Sequence, residues 1–283
     1  MLDHAHSRLR AVTSAQNKQV KDLRNAFSQG ELTKDGHAAI ESVRTIEEAI
    51  RSGLKFRAVF FSESGKARAE RLLPQLGSHV ETLLLPDSIF SSAVGTESPQ
   101  GVAALVKLKT HALEDLFRTP EPLIVVAAGV QDPGNLGTVI RSAEAFDAAG
   151  VVATERTVSP LNSKAVRASA GSLFRLPVAH AKIKDLLPIL AEHSVRLLGT
   201  TSHKGVPLPQ ADFKRAVAIC IGNEGAGLPK ELIAKVDSNI VIPHSDKVES
   251  LNAGIAASIV LYEAARQRAG VHHGVTENTE EYK

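Results

Sequence analysis

AVAICIGNEGAGLPKELI, residues 216–233, opens with six apolar residues, turns on three glycines and then resumes with helix-forming residues. This order reads as a buried strand running into a glycine-rich loop ahead of a helix. A dinucleotide fingerprint would space its glycines G-x-G-x-x-G, whereas Gly222, Gly225 and Gly227 read G-x-x-G-x-G. Glu224 in the middle of the loop would repel a pyrophosphate. The loop therefore suits a ligand without phosphate, one whose adenine or ribose takes hydrogen bonds from the backbone.

Two further segments have the same build. VQDPGNLGTVIRSAEAFDAAGV (130–151) takes a strand through a Pro-Gly turn, with Gly134 and Gly137 permitting close backbone approach, into a helix. On that helix Arg141 and Glu144 are three apart and share a face, while Val139, Ile140, Ala143 and Phe146 are expected in the core. Arg141 is read as lying just inside the helix start, against the macrodipole. NIVIPHSDKVESLNAGIAASIVLYEAARQR (239–268) is a strand, a Pro-bounded loop and a long helix, with Ala253, Ala256, Ala257, Val260, Leu261 and Ala264 in one stripe of mostly small residues. Ser250 and Asn252 at its start are natural helix caps. With LIVVAA (123–128), GVVA (150–153) and VRLLGT (195–200), these runs predict a parallel α/β sheet buried on both faces. Three loops at strand ends then share a crevice, where open α/β sheets bind ligands.

Upstream, a helix over 13–27, a strand and helix within HAAIESVRTIEEAIRSG, and strands at 57–62, 80–85 and 101–108 make a smaller α/β unit. The stretch 110–122, with two prolines and no period, reads as a linker. A length of 283 residues agrees with two domains. Net charge is only +2, but Arg8, Arg10, Lys18, Lys21 and Arg24 face only Asp3 and Asp22 in the first 24 residues, a start suited to phosphates or to a solvated helix face. No apolar run approaches the roughly 18 residues of a membrane helix, and the expected location is the cytoplasm. Cys220 is the sole cysteine and reads as a buried thiol. His4, His6, His272 and His273 lack convergent carboxylates, so no metal is expected. Beyond Arg268 the chain loses periodicity and is expected to fray.

In order and spacing, the three segments resemble the three motifs of the SpoU (TrmH) branch of the SPOUT methyltransferases. IESVRTIEEAI and the α/β unit after it are similar to that family's L30e-like substrate-binding domain. The resemblance implies an N-terminal L30e-like RNA-binding domain with its basic segment (1–112), a SPOUT methyltransferase domain (120–270) and a flexible tail (271–283). It also implies a C-terminal trefoil knot, a rarity among folds, that holds S-adenosylmethionine bent, and a homodimer whose active site draws on both chains.

By motif position the resemblance makes Asn135, Arg141, Glu224, Ser250 and Asn252 the catalytic set, with Glu144 one turn beyond Arg141. It places Thr200, Gly222, Ile242 and Leu251 around the cofactor. The implied activity is 2′-O-methylation of RNA; the N-terminal arrangement with its basic start favours ribosomal RNA, with transfer RNA as the alternative substrate. Without the resemblance these residues have structural readings: ion pairing for Arg141, turn chemistry for Asn135, capping for Ser250 and Asn252. A noncatalytic dimeric RNA-binding protein and a nucleotide-dependent oxidoreductase are the alternatives, separable by which cofactor binds.

Overall fold

The computed structural model describes residues 8–96 and 98–272. They form two compact units: described residues up to Thr110 with Ser159–Arg175, and His111–Val158 with the described residues from Leu176 onward. His4, His6, His273 and the expected tail from residue 273 lie outside the described residues.

The first unit runs β1 (Arg10–Ala11), α1 (Lys18–Gln29), β2 (His37–Glu41), α2 (Val43–Arg51), β3 (Lys55–Ser62), α3 (Arg68–Leu72), β4 (Glu81–Leu85), α4 (Asp87–Val94) and β5 (Val102–Lys107). Its sheet has the order β1-β4-β3-β5-β2, with β5 antiparallel to both neighbours and the rest parallel. The helix expected from residue 13 begins only at Lys18, because Asn17 caps it by accepting from Gln19 N at 2.9 Å. Part of the basic start has structural work. Arg8 donates to the carbonyls of Leu73, Leu76 and Gly77, and Arg10 pairs with Glu81 at 3.0 Å. Lys18 and Lys21 are exposed.

The second unit holds β6 (Leu123–Ala128), α5 (Pro133–Ala145) and β7 (Gly150–Ala153). The chain then leaves through a segment bearing α6 (Ser163–Ala168), which belongs to the first unit. It returns as β8 (Val178–His180), α7 (Ile183–Glu192), β9 (Arg196–Thr201), β10 (Val206–Pro207), β11 (Val217–Gly222), α8 (Lys230–Ile233), β12 (Ser238–Val241) and α9 (Ala253–His272). All seven strands are parallel in the order β10-β12-β9-β11-β6-β7-β8. Ile124, Val126, Val152, Ala218 and Cys220 pack into one core with Leu116. Leu116 lies in a 3₁₀ turn, Leu113–Phe117, so the stretch read as a linker contributes a fully buried side chain to this core.

α9 continues past Arg268 to His272, where fraying had been expected. Two side chains anchor it. The Arg268 guanidinium donates to the carbonyls of Phe213, Glu121 and Arg215 at 2.7–2.8 Å, and Gln267 accepts from Phe213 N and donates to Ala211 O. The Glu263 carboxylate takes both Arg266 and Gln267. The small-residue stripe is intrachain packing. Ala253, Ala257, Val260, Leu261 and Ala264 are buried, Ser258 shares a hydrogen bond with Ser142 of α5 at 2.7 Å, and a Cβ on Gly254 would meet Thr138 at 3.0 Å.

Candidate active site

Register brings the loops together. β11 lies between β9 and β6, with Gly222 opposite Ala128 and Cys220 opposite Gly199, while Ile240 of β12 lies opposite Thr200. The chain winds away from β6 towards β7 on one side and returns as β11 on the other, so a crevice opens at the carboxyl ends of these strands.

Below the crevice, burial pushes the Cys220 thiol up to about 12, leaving it a packing group. The loop after β11 folds back on itself by a backbone bridge between Asn223 and Gly227. Gly222 is required there, since a Cβ would sit 2.6 Å from the Gly227 carbonyl carbon. Asn223 Oδ1 accepts from Gly225 N and Ala226 N at 2.9 Å, and its Nδ2 reaches Gly129 O of the first loop at 3.3 Å.

The resulting cleft encloses about 630 Å³. Thr200, Gly222, Ile242 and Leu251, the expected cofactor residues, all line it, as do Glu224 and Ser250. Ile221, Leu228 and Ile240 supply apolar walls. Among the described residues of this lining there is no lysine or arginine, whereas Glu224 and Glu249 contribute carboxylates. Such a lining opposes a pyrophosphate and welcomes a cation. Thr200 Oγ1 donates to Cys220 O at 2.8 Å, which turns that side chain towards β11.

Asn135, Glu224 and Asn252 form a second, overlapping group. Asp132 caps α5 by accepting from Asn135 N at 2.9 Å, with Pro133 at the first helical position, and this cap sets the Asn135 side chain on the first turn. Asn135 Nδ2 donates to Glu224 Oε1, and Asn252 Nδ2 donates to Asn135 Oδ1 at 2.9 Å. Asn252 is also the cap of α9, accepting from Gly254 N at 3.0 Å and Ile255 N at 3.2 Å. Ser250 is exposed in the cleft and is not that cap.

Arg141 stands apart. It lies more than two turns into α5 rather than at its start, so the expected conflict with the helix dipole does not arise. Its side chain is exposed, and no hydrogen bond or ion pair joins it to another of the described residues. Val139, Ile140 and Ala143 are buried as expected, and Phe146 is half-buried with its edge towards Tyr262.

Two residues of the cleft went unread in the sequence. Asn223 builds the second loop, and an Asn at the carboxyl end of a strand before glycines is a recognisable turn signal. His244 lines the cleft with Nδ1 2.7 Å from Ile242 O; a carbonyl only accepts, so that nitrogen carries the proton. No local pattern marks it.

This is the fold of a SPOUT-type α/β methyltransferase, and the comparisons with known proteins agree. Residues 122–262 match the SpoU rRNA Methylase family and residues 17–104 the MRM3-like substrate binding domain. The chain is 32% identical over 254 residues, 90% of its length and 98% of the relative, to the 23S rRNA (guanosine(2553)-2′-O)-methyltransferase RlmP of Bacillus subtilis. It superposes with TM-score 0.75 on an AdoMet-bound rRNA methyltransferase from Sinorhizobium meliloti, at 28% identity over 92% of this chain and 98% of that one. The SpoU methyltransferase AviRb of Streptomyces viridochromogenes, in complex with AdoMet, gives 0.74 at 26% identity over 90% of this chain and 100% of that one. The chain belongs to the SpoU methyltransferase family.

Proposed function

We propose that this protein is an S-adenosylmethionine-dependent methyltransferase acting on a ribose 2′-hydroxyl of ribosomal RNA. The observation that carries the reading is a cleft with carboxylates and, among its described lining residues, no lysine or arginine, formed by the second and third motif segments with the end of β9. The cofactor supplies a sulfonium-activated methyl group, and this lining fits it: apolar walls for the adenine, backbone groups at Gly222, Ile242 and Leu251, and the Glu249 carboxylate for the positive sulfur. The RNA modifications named for its relatives, including a 23S rRNA uridine 2′-O-methyltransferase 30% identical to this chain, support ribosomal RNA as the substrate.

In this reading the protein's work is positioning and charge stabilisation. Arg141, an exposed cation held by no carboxylate among the described residues, fixes a phosphate beside the target ribose and stabilises developing alkoxide charge. A guanidinium, with a pKa above about 12, is a poor base. Glu224 orients the ribose from the second loop, Asn135 holds the first loop beside it, and Ser250 contributes a hydroxyl from the third.

A homodimer completes the proposal. Ile255 and Tyr262, 53% and 57% exposed, lie seven apart on α9 with half-buried Ile259 between them, an apolar face suited to a second copy. The knot implied by the family belongs to the terminal segment that ends in α9. No described helix is long and apolar enough to cross a membrane, and we place the enzyme in the cytoplasm with its substrate.

The test is transfer of label from S-adenosylmethionine to bacterial RNA, separated into ribosomal and transfer fractions and digested to nucleosides. Label in a 2′-O-methyl nucleoside of ribosomal RNA is expected. Label in transfer RNA would reassign the substrate, and cofactor binding without transfer would favour the noncatalytic RNA-binding reading. Light scattering should give a dimer, and Tyr262→Glu a monomer.

A further inference from the structure

The three loops are wired to one another in a fixed direction. Asn252 Oδ1 accepts from two backbone amides, Gly254 N and Ile255 N, so that end of the side chain is its oxygen. Its Nδ2 therefore faces Asn135 and must donate, which makes the facing atom of Asn135 its oxygen. The opposite end of Asn135 is then an amide donor, and it meets Glu224 Oε1. Two carboxamides, each able to flip in isolation, are held in one orientation by the amino end of a 20-residue helix.

Building on the methyltransferase reading, we infer that Asn252 is a positioning residue: through Asn135 it presents a donor to Glu224 and holds that carboxylate where the ribose is oriented. Asn252 need not touch RNA or cofactor. Capping alone would require only its oxygen, a duty that Ser, Thr or Asp performs as well. The donor half of the amide is what the relay uses. Glu224 lies in an exposed loop, and its bond to Asn135 is the one side-chain hydrogen bond it makes among the described residues. Loss of the relay frees the carboxylate to rotate, and the penalty falls on turnover rather than on binding.

The experiment uses the full chain and the substitutions Asn252→Ser, Asn252→Asp and Glu224→Ala. Serine keeps the cap without charge but has no amide to offer Asn135. Asn252→Ser should keep the melting temperature and the dissociation constant for S-adenosylmethionine. It should lower kcat about tenfold, the worth of one hydrogen bond to a charged group, with KM for RNA little changed. Combined with Glu224→Ala it should cost nothing further. Independently of activity, the side-chain amide proton signals of Asn135 should shift in Asn252→Ser and also in Asn252→Asp, which provides the reading if serine impairs folding. Unmoved Asn135 signals, an undiminished kcat, or the same loss in the Glu224→Ala background would overturn the relay. A wild-type protein that binds cofactor yet transfers no methyl group would overturn the proposed function instead, and the amide signals would still decide the relay.

Discussion

In the proposed catalytic set Arg141 is the one positive charge, the other members being amides, a hydroxyl and a carboxylate. Because no described residue neutralises it, its substitution should cost little stability and much activity. Arg141→Ala is expected to fold and bind cofactor normally while kcat falls at least about 100-fold, the scale of losing a transition-state charge contact. Steady-state rates beside cofactor calorimetry check this, and an undiminished rate would remove Arg141 from the mechanism. The contrast with Asn252 is instructive, because one side chain there both caps a helix and donates to a neighbour. From sequence, capping was the natural reading for Ser250 and Asn252 alike. The structure separates them: α9 starts at Ala253, so only Asn252 stands at the capping distance. Glu224 was legible because a carboxylate among turn glycines has no packing reason to be there. His244 was not, since its role arises from a carbonyl two residues away, Ile242 O, that no periodicity marks.

At the scale of elements, the boundaries show where local chemistry decides and where tertiary contacts do. β6 and β7 match the apolar runs 123–128 and 150–153 residue for residue, because strands buried on both faces carry no polar positions to blur their ends. β8 and β10, three and two residues long, have too little pattern to read and are recruited by their neighbours. The start of α2 holds stored strain: Ser42 has φ 88° and ψ 148°, a region suited to glycine, while its Oγ caps Thr45 N at 3.2 Å. Ser42→Gly relieves that strain at a cost of a few tenths for the cap and somewhat more for chain entropy. A net gain of about 1 kcal/mol in a urea melt is expected. In α9, hydrogen bonds from Arg266 and then Gln267 bring the Glu263 carboxyl down to about 2 from its usual 4.5. With the folded value below the unfolded one, this carboxylate adds stability above pH 4.5 that fades as pH falls towards 2. Half-exposed Arg266 limits the effect to about 1 kcal/mol. The stability difference between wild type and Glu263→Gln should accordingly be full at pH 6 and shrink steadily below pH 4.5 in denaturant titrations.

For the molecule as a whole, the division into units departs from the order of the chain. Ser159–Arg175 leaves the second sheet between β7 and β8 and is held within the first unit. There Ser159 Oγ donates to Gly30 O, Arg167 lies 3.7 Å from buried Glu41, and Arg175 reaches Ser52. Nothing in the composition of that segment announced it, because its partners are more than 100 positions away. The seven-stranded sheet has the same dependence on distant contacts: β11 inserts between β6 and β9, and α9 closes on carbonyls at Glu121, Phe213 and Arg215. Arg268→Ala leaves those carbonyls without their shared donor and should cost about 2 kcal/mol in chemical denaturation. The loss should reach cofactor affinity only through the unfolded fraction, since the substitution lies at the other end of α9 from Asn252. An affinity loss larger than that fraction would show that the anchor also shapes the cleft.

The anchoring of α9 also bears on how the protein comes into being. Every strand of the second sheet can leave the synthesising ribosome before α9 does, yet the cap at Asn252 and the anchor at Arg268 both wait for that helix. A nascent chain halted within α9 would carry all three motif loops and still lack their joint geometry. On the proposed activity, a truncated product would be silent rather than half-active, and synthesis itself would keep immature copies from marking RNA.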